Sequence, residues 1–104
     1  MATADPVLIR FRQALDETYG SRLERAVLFG SRARGDAKPD SDYDVAVFLH
    51  DLTDRDAELD RLAPIQSRII DETDGVIHVL PFPAGAWAEG APLMLTIRAE
   101  GLEL

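Results

Sequence analysis

Apolar residues near the start of the chain recur at the spacing of a helix. Leu8, Phe11 and Leu15 fall three and four positions apart, which places them on one face of a helix from Asp5 to Tyr19. A capping aspartate, a first-turn proline and a terminating glycine mark its ends: Asp5, Pro6 and Gly20. The pattern predicts a first helix with one buried stripe.

Three later stretches are short and rich in apolar residues, which predicts strands. They are Arg25 to Phe29, Asp42 to Leu49, and Val76 to Leu80. The polar segment from Ser31 to Ser41 is predicted to be a loop with one helical turn. We expect the third strand to stop at the two prolines that follow it: Pro81 and Pro83.

Helical spacing returns between the second and third strands. Thr53 and Asp56 resemble a capping box, and Pro64 is expected to kink or interrupt this helix. Its apolar face would carry four residues: Leu59, Leu62, Ile65 and Ile69. The charged run from Asp54 to Asp60 is expected on its solvent face.

A last helix is predicted from Pro92 to Glu100, and an edge strand after it. Its apolar residues are expected in the core or against a partner: Leu93, Met94 and Ile97. The order of elements predicts an α/β (α+β) fold, a small mixed β-sheet with helices packed on it. Because the helix between them brings the chain back, the third strand should run parallel to the second.

Composition limits the class of protein without giving an activity. The 104 residues are expected to form one domain, 1–104, and the absence of cysteine excludes disulfides, thiolate zinc sites and a catalytic thiol. A formal net charge of −8 disfavours general nucleic-acid binding. No apolar stretch is long enough to span a membrane, so we expect a soluble, cytoplasmic protein.

The candidate chemistry lies where the first two strands meet. Gly30 and Ser31 follow the first strand, and Asp42 and Asp44 open the second. Because side chains two positions apart in a strand share a face, we expect both carboxylates to face the Gly30-Ser31 turn. Paired carboxylates repel each other unless a cation lies between them, and Mg²⁺ is the ion that joins carboxylates to substrate phosphates.

The turn itself has the features of a phosphate site. Gly30 allows a ligand to approach the backbone, and Ser31 can open a helical turn whose N–H groups face an anion. Arg32 or Arg34 can add a charge-assisted contact to a phosphate. Together with the carboxylate pair, this arrangement predicts a site for a nucleoside triphosphate and its magnesium.

Gly30-Ser31, ten further residues and then Asp42-Tyr43-Asp44 resemble the signature of the DNA polymerase β-like nucleotidyltransferase superfamily. Within it, the chain is similar to the minimal nucleotidyltransferases of bacteria and archaea. The apolar strand into Gly30, the strand–helix–strand return and the segment from Pro92 to Gly101 extend the resemblance to nearly the whole chain.

The resemblance implies Mg²⁺-dependent transfer of a nucleoside monophosphate, AMP in the first instance, from a triphosphate to a hydroxyl. Asp42 and Asp44 would be the catalytic residues and metal ligands. Gly30, Ser31 and Arg32 would bind the nucleotide, with ATP as the candidate substrate. The resemblance also implies a partner, because larger relatives add a domain that completes the cleft. A HEPN-type toxin, one of whose tyrosines accepts AMP, and a second copy of this chain are the two candidates.

One departure leaves two functional hypotheses open. Active members of the family carry a third carboxylate on the third strand, where this chain has His78, while Asp74 and Glu72 lie earlier. The first hypothesis is an active nucleotidyltransferase. The second is a catalytically impaired antitoxin or nucleotide-binding module that acts by binding its partner. Asp74 or Glu72 beside the aspartate pair would favour the first, and His78 alone would favour the second.

Overall fold

The structure, a computed structural model, describes residues 5–104. Within that range the elements are α1 Pro6–Tyr19, β1 Leu23–Phe29, α2 Ser31–Arg34, β2 Tyr43–Leu49, α3 Arg55–Thr73, β3 Ile77–Pro83, α4 Pro92–Glu100 and β4 Leu102–Glu103. Two short 3₁₀ helices lie at Gly20–Arg22 and Ala84–Ala88. None of the helices in this range has the length and apolar character needed to cross a membrane.

The four strands form one mixed sheet in the order β3-β2-β1-β4. β1 pairs antiparallel with both β2 and β4, whereas β2 and β3 run parallel because α3 returns the chain between them. The predicted fold class is confirmed, as is the parallel course of the third strand. The end of β1 and the starts of β2 and β3 therefore meet at one end of the sheet.

One face of the sheet packs against α1 and α3. The predicted stripe of α1 is buried there, with Leu8, Phe11 and Leu15 each at most 2% exposed. The Asp5 side chain caps α1 by accepting a hydrogen bond from the Val7 N–H at 2.9 Å. Val45 and Val47 of β2 point into the same core.

The opposite face of the sheet is covered by α4 and the second 3₁₀ helix. Phe48 of β2 stacks on Phe82 with ring centroids 5.5 Å apart and meets Trp87 edge-on at 5.4 Å. Ala46 also packs in this second core, with Met94 and Ile97 of α4. Asp44, two residues before Ala46, belongs to this face by alternation along β2.

The third strand is longer than predicted. Pro81 lies inside β3 and Pro83 is its last residue, and they pair in register with Val47 and Leu49 of β2. β3 is an edge strand, so a proline's missing N–H can face outward without removing a hydrogen bond of the sheet. The expectation that the strand stops before Pro81 was wrong for this reason, whereas Pro83 is the residue at which β3 ends.

The predicted start of α3 was wrong, and Pro64 does not interrupt the helix. The N-cap is Asp54, whose side chain accepts from the Ala57 N–H at 3.1 Å, and not Thr53. The helix runs unbroken through Pro64, which lies on its exposed side. The backbone hydrogen bond that proline cannot donate is therefore missing at the surface and not in the core.

Two side chains differ in burial from the prediction: Glu58 is buried and Leu93 is exposed. Glu58, expected on the wet face of α3, is 4% exposed and binds two guanidinium groups. Its Oε2 lies 2.5 Å from Arg22 and its Oε1 lies 2.7 Å from Arg61. Leu93 of α4, expected in the core, is exposed, whereas Met94 and Ile97 are buried.

Candidate functional site

The turn between β1 and α2 is built around Gly30. Its φ of 76° and ψ of −157° fall in a region that is essentially restricted to glycine. The Gly30 carbonyl accepts hydrogen bonds from the N–H groups of Ala33 and Arg34 at 3.1 and 3.0 Å, which starts α2 directly after the turn. Ser31 is the first residue of that helix, and the first N–H groups of any helix have no partner within it.

The Asp44 carboxylate packs directly against this turn. Asp44 stands opposite Phe29 in the antiparallel register of β1 and β2. A Cβ atom added to Gly30 would lie 2.5 Å from Asp44 Oδ2, closer than real Cβ contacts come. Glycine is therefore required twice at this position, by the backbone angles and by the carboxylate beside it.

Asp42 comes directly before β2 and is exposed, while Asp44 is half-buried within the strand. That the two carboxylates share a face stays a prediction from the two-residue alternation of an extended chain. Their chemistry fits a hard divalent cation, since Mg²⁺ is held by one or two carboxylates together with substrate phosphates. Asp42 and Asp44 are the residues that could supply those oxygens.

His78 occupies the position next to Asp44 on the neighbouring strand. The parallel register of β2 and β3 places the two residues directly opposite each other, and His78 Nδ1 lies 3.2 Å from Asp44 Oδ1. The His78 side chain is 60% exposed and that of Asp44 is 31% exposed. The strand position at which the family resemblance implies a third carboxylate therefore carries an imidazole in contact with Asp44.

The other two candidate acids lie elsewhere. Asp74 ends α3 with a φ of 64°, and its N–H donates to the Ile70 carbonyl at 2.8 Å. It lines a cleft shared with Arg32 and Tyr43, and Asp44 does not border that cleft. Glu72 forms an exposed ion pair with Arg10 of α1 at 3.2 Å. Within residues 5–104 there is no cluster of three or more aspartate, glutamate or histidine side chains arranged to hold a metal ion.

Arg32 is engaged in the structure of the loop that precedes β2. Its guanidinium donates to the carbonyls of Ser41 at 2.9 Å and Pro39 at 3.1 Å. The same group lies over the Tyr43 ring, 3.9 Å from the ring centroid. Tyr43 is buried on the α1 side of the sheet, where burial and then a hydrogen bond to Asp5 raise its pKa to about 12.

Arg34, three residues after Ser31, forms ion pairs with one exposed and one partly buried carboxylate. It lies 3.3 Å from Asp36 and 3.3 Å from Glu100 of α4, and its own side chain is about half exposed. Ion pairs of this kind contribute little to stability and exchange readily for another anion. Sequence reasoning assigned Arg32 to the nucleotide and kept Arg34 as an alternative phosphate contact, because it could not show which guanidinium the loop engages.

Solved structures share this fold at low sequence identity. A toxin–antitoxin complex with AMP-PNP superposes with a TM-score of 0.67 at 19% identity, covering 91% of this chain and 69% of that one. A protein of Sulfolobus solfataricus, provisionally assigned as a nucleotidyltransferase, gives a TM-score of 0.61 at 20% identity, covering 93% and 75%. A complex of a tri-AMPylated HEPN toxin of Shewanella oneidensis with its MNT antitoxin gives 0.53 at 16%, covering 93% and 70%.

At these identities the likeness establishes a common fold. A comparison with curated protein sequences gave no match. The profile of the nucleotidyltransferase domain, by contrast, matches residues 8–83, a stretch that runs from α1 through the Gly30 turn and the aspartate pair to the end of β3. The chain therefore belongs to the nucleotidyltransferase domain family.

Proposed function

We propose that this chain binds a nucleoside triphosphate, with ATP as the first candidate, together with a divalent cation for which the sequence predicts Mg²⁺. The observation that carries the proposal is the packing of the Asp44 carboxylate against Gly30. This contact sets an acidic metal ligand beside a turn that a phosphate can approach closely. Membership of the nucleotidyltransferase domain family supports the same function.

The reaction proposed for this site is transfer of a nucleoside monophosphate to a hydroxyl. The hydroxyl oxygen forms a bond to the α-phosphorus, the bond from that phosphorus to the oxygen bridging the β-phosphate breaks, and pyrophosphate leaves. The hydroxyl proton passes to water. When bound, the cation supplies positive charge that offsets the charge growing on the phosphate oxygens.

The residues of the turn and the two aspartates have separate roles in this proposal. Asp42 and Asp44 hold the cation, and Gly30 and Ser31 hold the triphosphate tail at the start of α2. The sequence-based assignment of Arg32 to nucleotide binding stays a prediction. Arg34 is better placed for the phosphates, because the donors of Arg32 already bind the carbonyls of Pro39 and Ser41.

The acceptor in this proposal is a hydroxyl of another molecule. Both tyrosines of the chain are buried: Tyr19 is 5% exposed and Tyr43 is 6% exposed. A tyrosine acceptor therefore has to come from a partner, and the fold neighbours include a complex of an MNT antitoxin with a tri-AMPylated HEPN toxin. We propose a HEPN-type partner as the acceptor.

The transfer is tested with ATP labelled at the α-phosphate, a divalent cation and the protein encoded by the neighbouring gene. We expect label to move to the partner with the wild type and to fall by about 100-fold or more in Asp42→Asn and Asp44→Asn. Asp56→Asn, an exposed acid in the first turn of α3, which follows the far end of β2, is the matched control. Equal labelling by all four proteins would overturn the assignment of the two aspartates.

A second candidate function is favoured by one observation, the contact of His78 with Asp44. Because His78, and no third acid from the described part of the chain, lies beside Asp44 on the neighbouring strand, the site favours a module that binds nucleotide or partner without turnover. In cells that express the partner, such a module would neutralise it equally well as wild type, Asp42→Asn or Asp44→Asn. Neutralisation lost in both variants, with the proteins still folded, would exclude this alternative and leave the transferase.

A further inference from the structure

Asp44 and His78 form a mixed oxygen and nitrogen donor pair at the open end of the sheet. Register fixes both residues, because they stand opposite each other in the parallel ladder of β2 and β3. Their side chains are partly exposed, 31% for Asp44 and 60% for His78, so the pair borders solvent. The pair is thus held by the backbone of two neighbouring strands rather than by a flexible loop.

The separation of the two donor atoms suits one shared cation. Neighbouring ligands of an octahedral divalent ion, each at about 2.1 Å from the metal, lie roughly 3 Å from each other. The distance from His78 Nδ1 to Asp44 Oδ1 is 3.2 Å. Both donors could therefore bind the same ion with little movement of either side chain.

We propose that His78 is a metal ligand alongside Asp44, and that its imidazole makes this site bind divalent transition metals more tightly than Mg²⁺. Mg²⁺ prefers oxygen donors throughout, whereas imidazole nitrogen favours Co²⁺, Ni²⁺ and Zn²⁺. The inference rests on the proposed function in one respect, the use of Asp44 as a metal ligand. It goes beyond that function in assigning His78 and the class of metal.

The rest of the chain bears on this assignment in two ways. Cysteine is absent from the sequence and the other histidine, His50, follows the far end of β2, so His78 is the one nitrogen or sulfur ligand of the common kinds near Asp44. Within residues 5–104, Asp44 and His78 form no three-residue cluster with another acid, so Asp42, which the proposed function also assigns to the cation, would have to move towards them on metal binding. Water and the phosphate oxygens of the nucleotide would complete the coordination shell.

Metal titration without nucleotide tests the proposal independently of any transfer. The whole protein is titrated with Co²⁺ and, separately, with Mg²⁺ by calorimetry, and the visible absorption of bound Co²⁺ reports its ligands. We expect Co²⁺ to bind at least about tenfold more tightly than Mg²⁺, and His78→Ala to weaken Co²⁺ by about tenfold while changing Mg²⁺ little. His50→Ala, the matched control, should leave both affinities unchanged.

The reciprocal variant sharpens the test. His78→Asp makes the donor set all oxygen, so the preference for Co²⁺ over Mg²⁺ should shrink by about tenfold or more. Co²⁺ affinity that is equal in the wild type and His78→Ala would overturn the proposal and reduce the contact to a hydrogen bond. Transfer supported by Mg²⁺ would survive that result, whereas undiminished metal and ATP binding by Asp44→Asn would sink the proposed function as well.

Discussion

Gly30 illustrates how a single residue can serve the backbone and the site together. Its angles are open only to glycine, and the space a side chain would need is occupied by the Asp44 carboxylate. Gly30→Ala is expected to lower the free energy of unfolding by about 3 kcal/mol, since strain and contact add. Urea denaturation, monitored by circular dichroism, measures the change in the free energy of unfolding.

Gly35→Ala is the comparison for that variant. Gly35 also has a positive φ, 84°, but a Cβ added there meets no atom within 4 Å, so only about 1 kcal/mol of left-handed strain is expected. The contact itself is isolated by repeating Gly30→Ala in a chain that carries Asp44→Ala. If the carboxylate matters as described, the two substitutions together cost less than the sum of each alone. Strict additivity would mean that the cost is strain only.

Alanine substitution of the two arginines of α2 should affect stability and nucleotide binding to different extents. Arg32 donates to the Pro39 and Ser41 carbonyls and covers Tyr43, so Arg32→Ala should cost about 1–3 kcal/mol of unfolding free energy. Arg34→Ala loses only exposed ion pairs and should cost less than about 1 kcal/mol.

Nucleotide affinity should respond in the opposite order. Arg34→Ala is expected to weaken ATP binding by about tenfold, whereas Arg32→Ala, measured where it is folded, should change it less. Calorimetric titration of ATP into each variant provides the measurement. A larger loss in Arg32→Ala would restore the sequence-based assignment of Arg32 to the nucleotide.

At the scale of elements, Pro64 places an unfavourable residue in the middle of α3. The helix continues through it, so the hydrogen bond that residue 64 would donate to the Asp60 carbonyl is missing. Pro64→Ala restores that donor and should raise the free energy of unfolding by about 1–3 kcal/mol, after allowance for the more flexible unfolded chain.

Pro92→Ala is the control for a proline in a helix. Pro92 is the first residue of α4, where no intrahelical hydrogen bond is lost, so its replacement should be neutral or slightly destabilising. Thermal unfolding of the two variants gives the comparison. A higher midpoint for Pro92→Ala than for Pro64→Ala would contradict this account of α3.

The elements that sequence predicted well are those with local causes. Asp5, Gly20 and the spacing of Leu8, Phe11 and Leu15 define α1 without help from the rest of the chain. Pro81 and Pro83 could not be placed correctly, because their tolerance depends on β3 being an edge strand, which is a property of the sheet. Glu58 was misplaced for a similar reason, since its guanidinium partner Arg22 lies far away in sequence.

The parts of the candidate site with local causes were also the parts that the sequence could predict. The Gly30-Ser31 turn and the two aspartates could be predicted because their chemistry is written within fifteen consecutive residues. His78 could be placed opposite the pair once the parallel return was inferred, and the register of β2 and β3 confirms that placement. The engagement of Arg32 by the loop carbonyls depends on the conformation of residues 38–41, which no local pattern encodes.

At the scale of the whole molecule, the two faces of the sheet differ in what they pack against and in what they expose. The face that packs against α1 and α3 carries the larger apolar core, and α4 and the aromatic cluster pack on the other face. Asp44 and His78 remain partly exposed at its open end. A site at an edge of this kind can receive a hydroxyl carried on another protein, which agrees with an acceptor supplied by a partner.

The whole molecule should also lose stability at alkaline pH through its two buried tyrosines. Burial, followed by the charge of Glu58, raises the pKa of Tyr19 to about 12, and burial, followed by the hydrogen bond to Asp5, raises that of Tyr43 to about 12. The folded state therefore holds both phenol protons more tightly than the unfolded chain, whose tyrosines ionise near pH 10. This stabilisation is complete below about pH 10 and is lost as the pH rises through about 12.

Urea denaturation at a series of pH values from about 9 to 12, with tyrosinate absorbance recorded in parallel, measures both sides of this linkage. Tyr43→Phe should make the alkaline loss shallower, because it removes one of the two protons that the folded state retains. The same substitution deletes a hydrogen bond to Asp5 at 2.7 Å, so the variant starts from lower stability near neutral pH and the two curves converge as the pH rises. Curves that stay parallel up to about pH 12 would show that Tyr43 titrates alike in both states, and that its burial against α1 does not hold its proton.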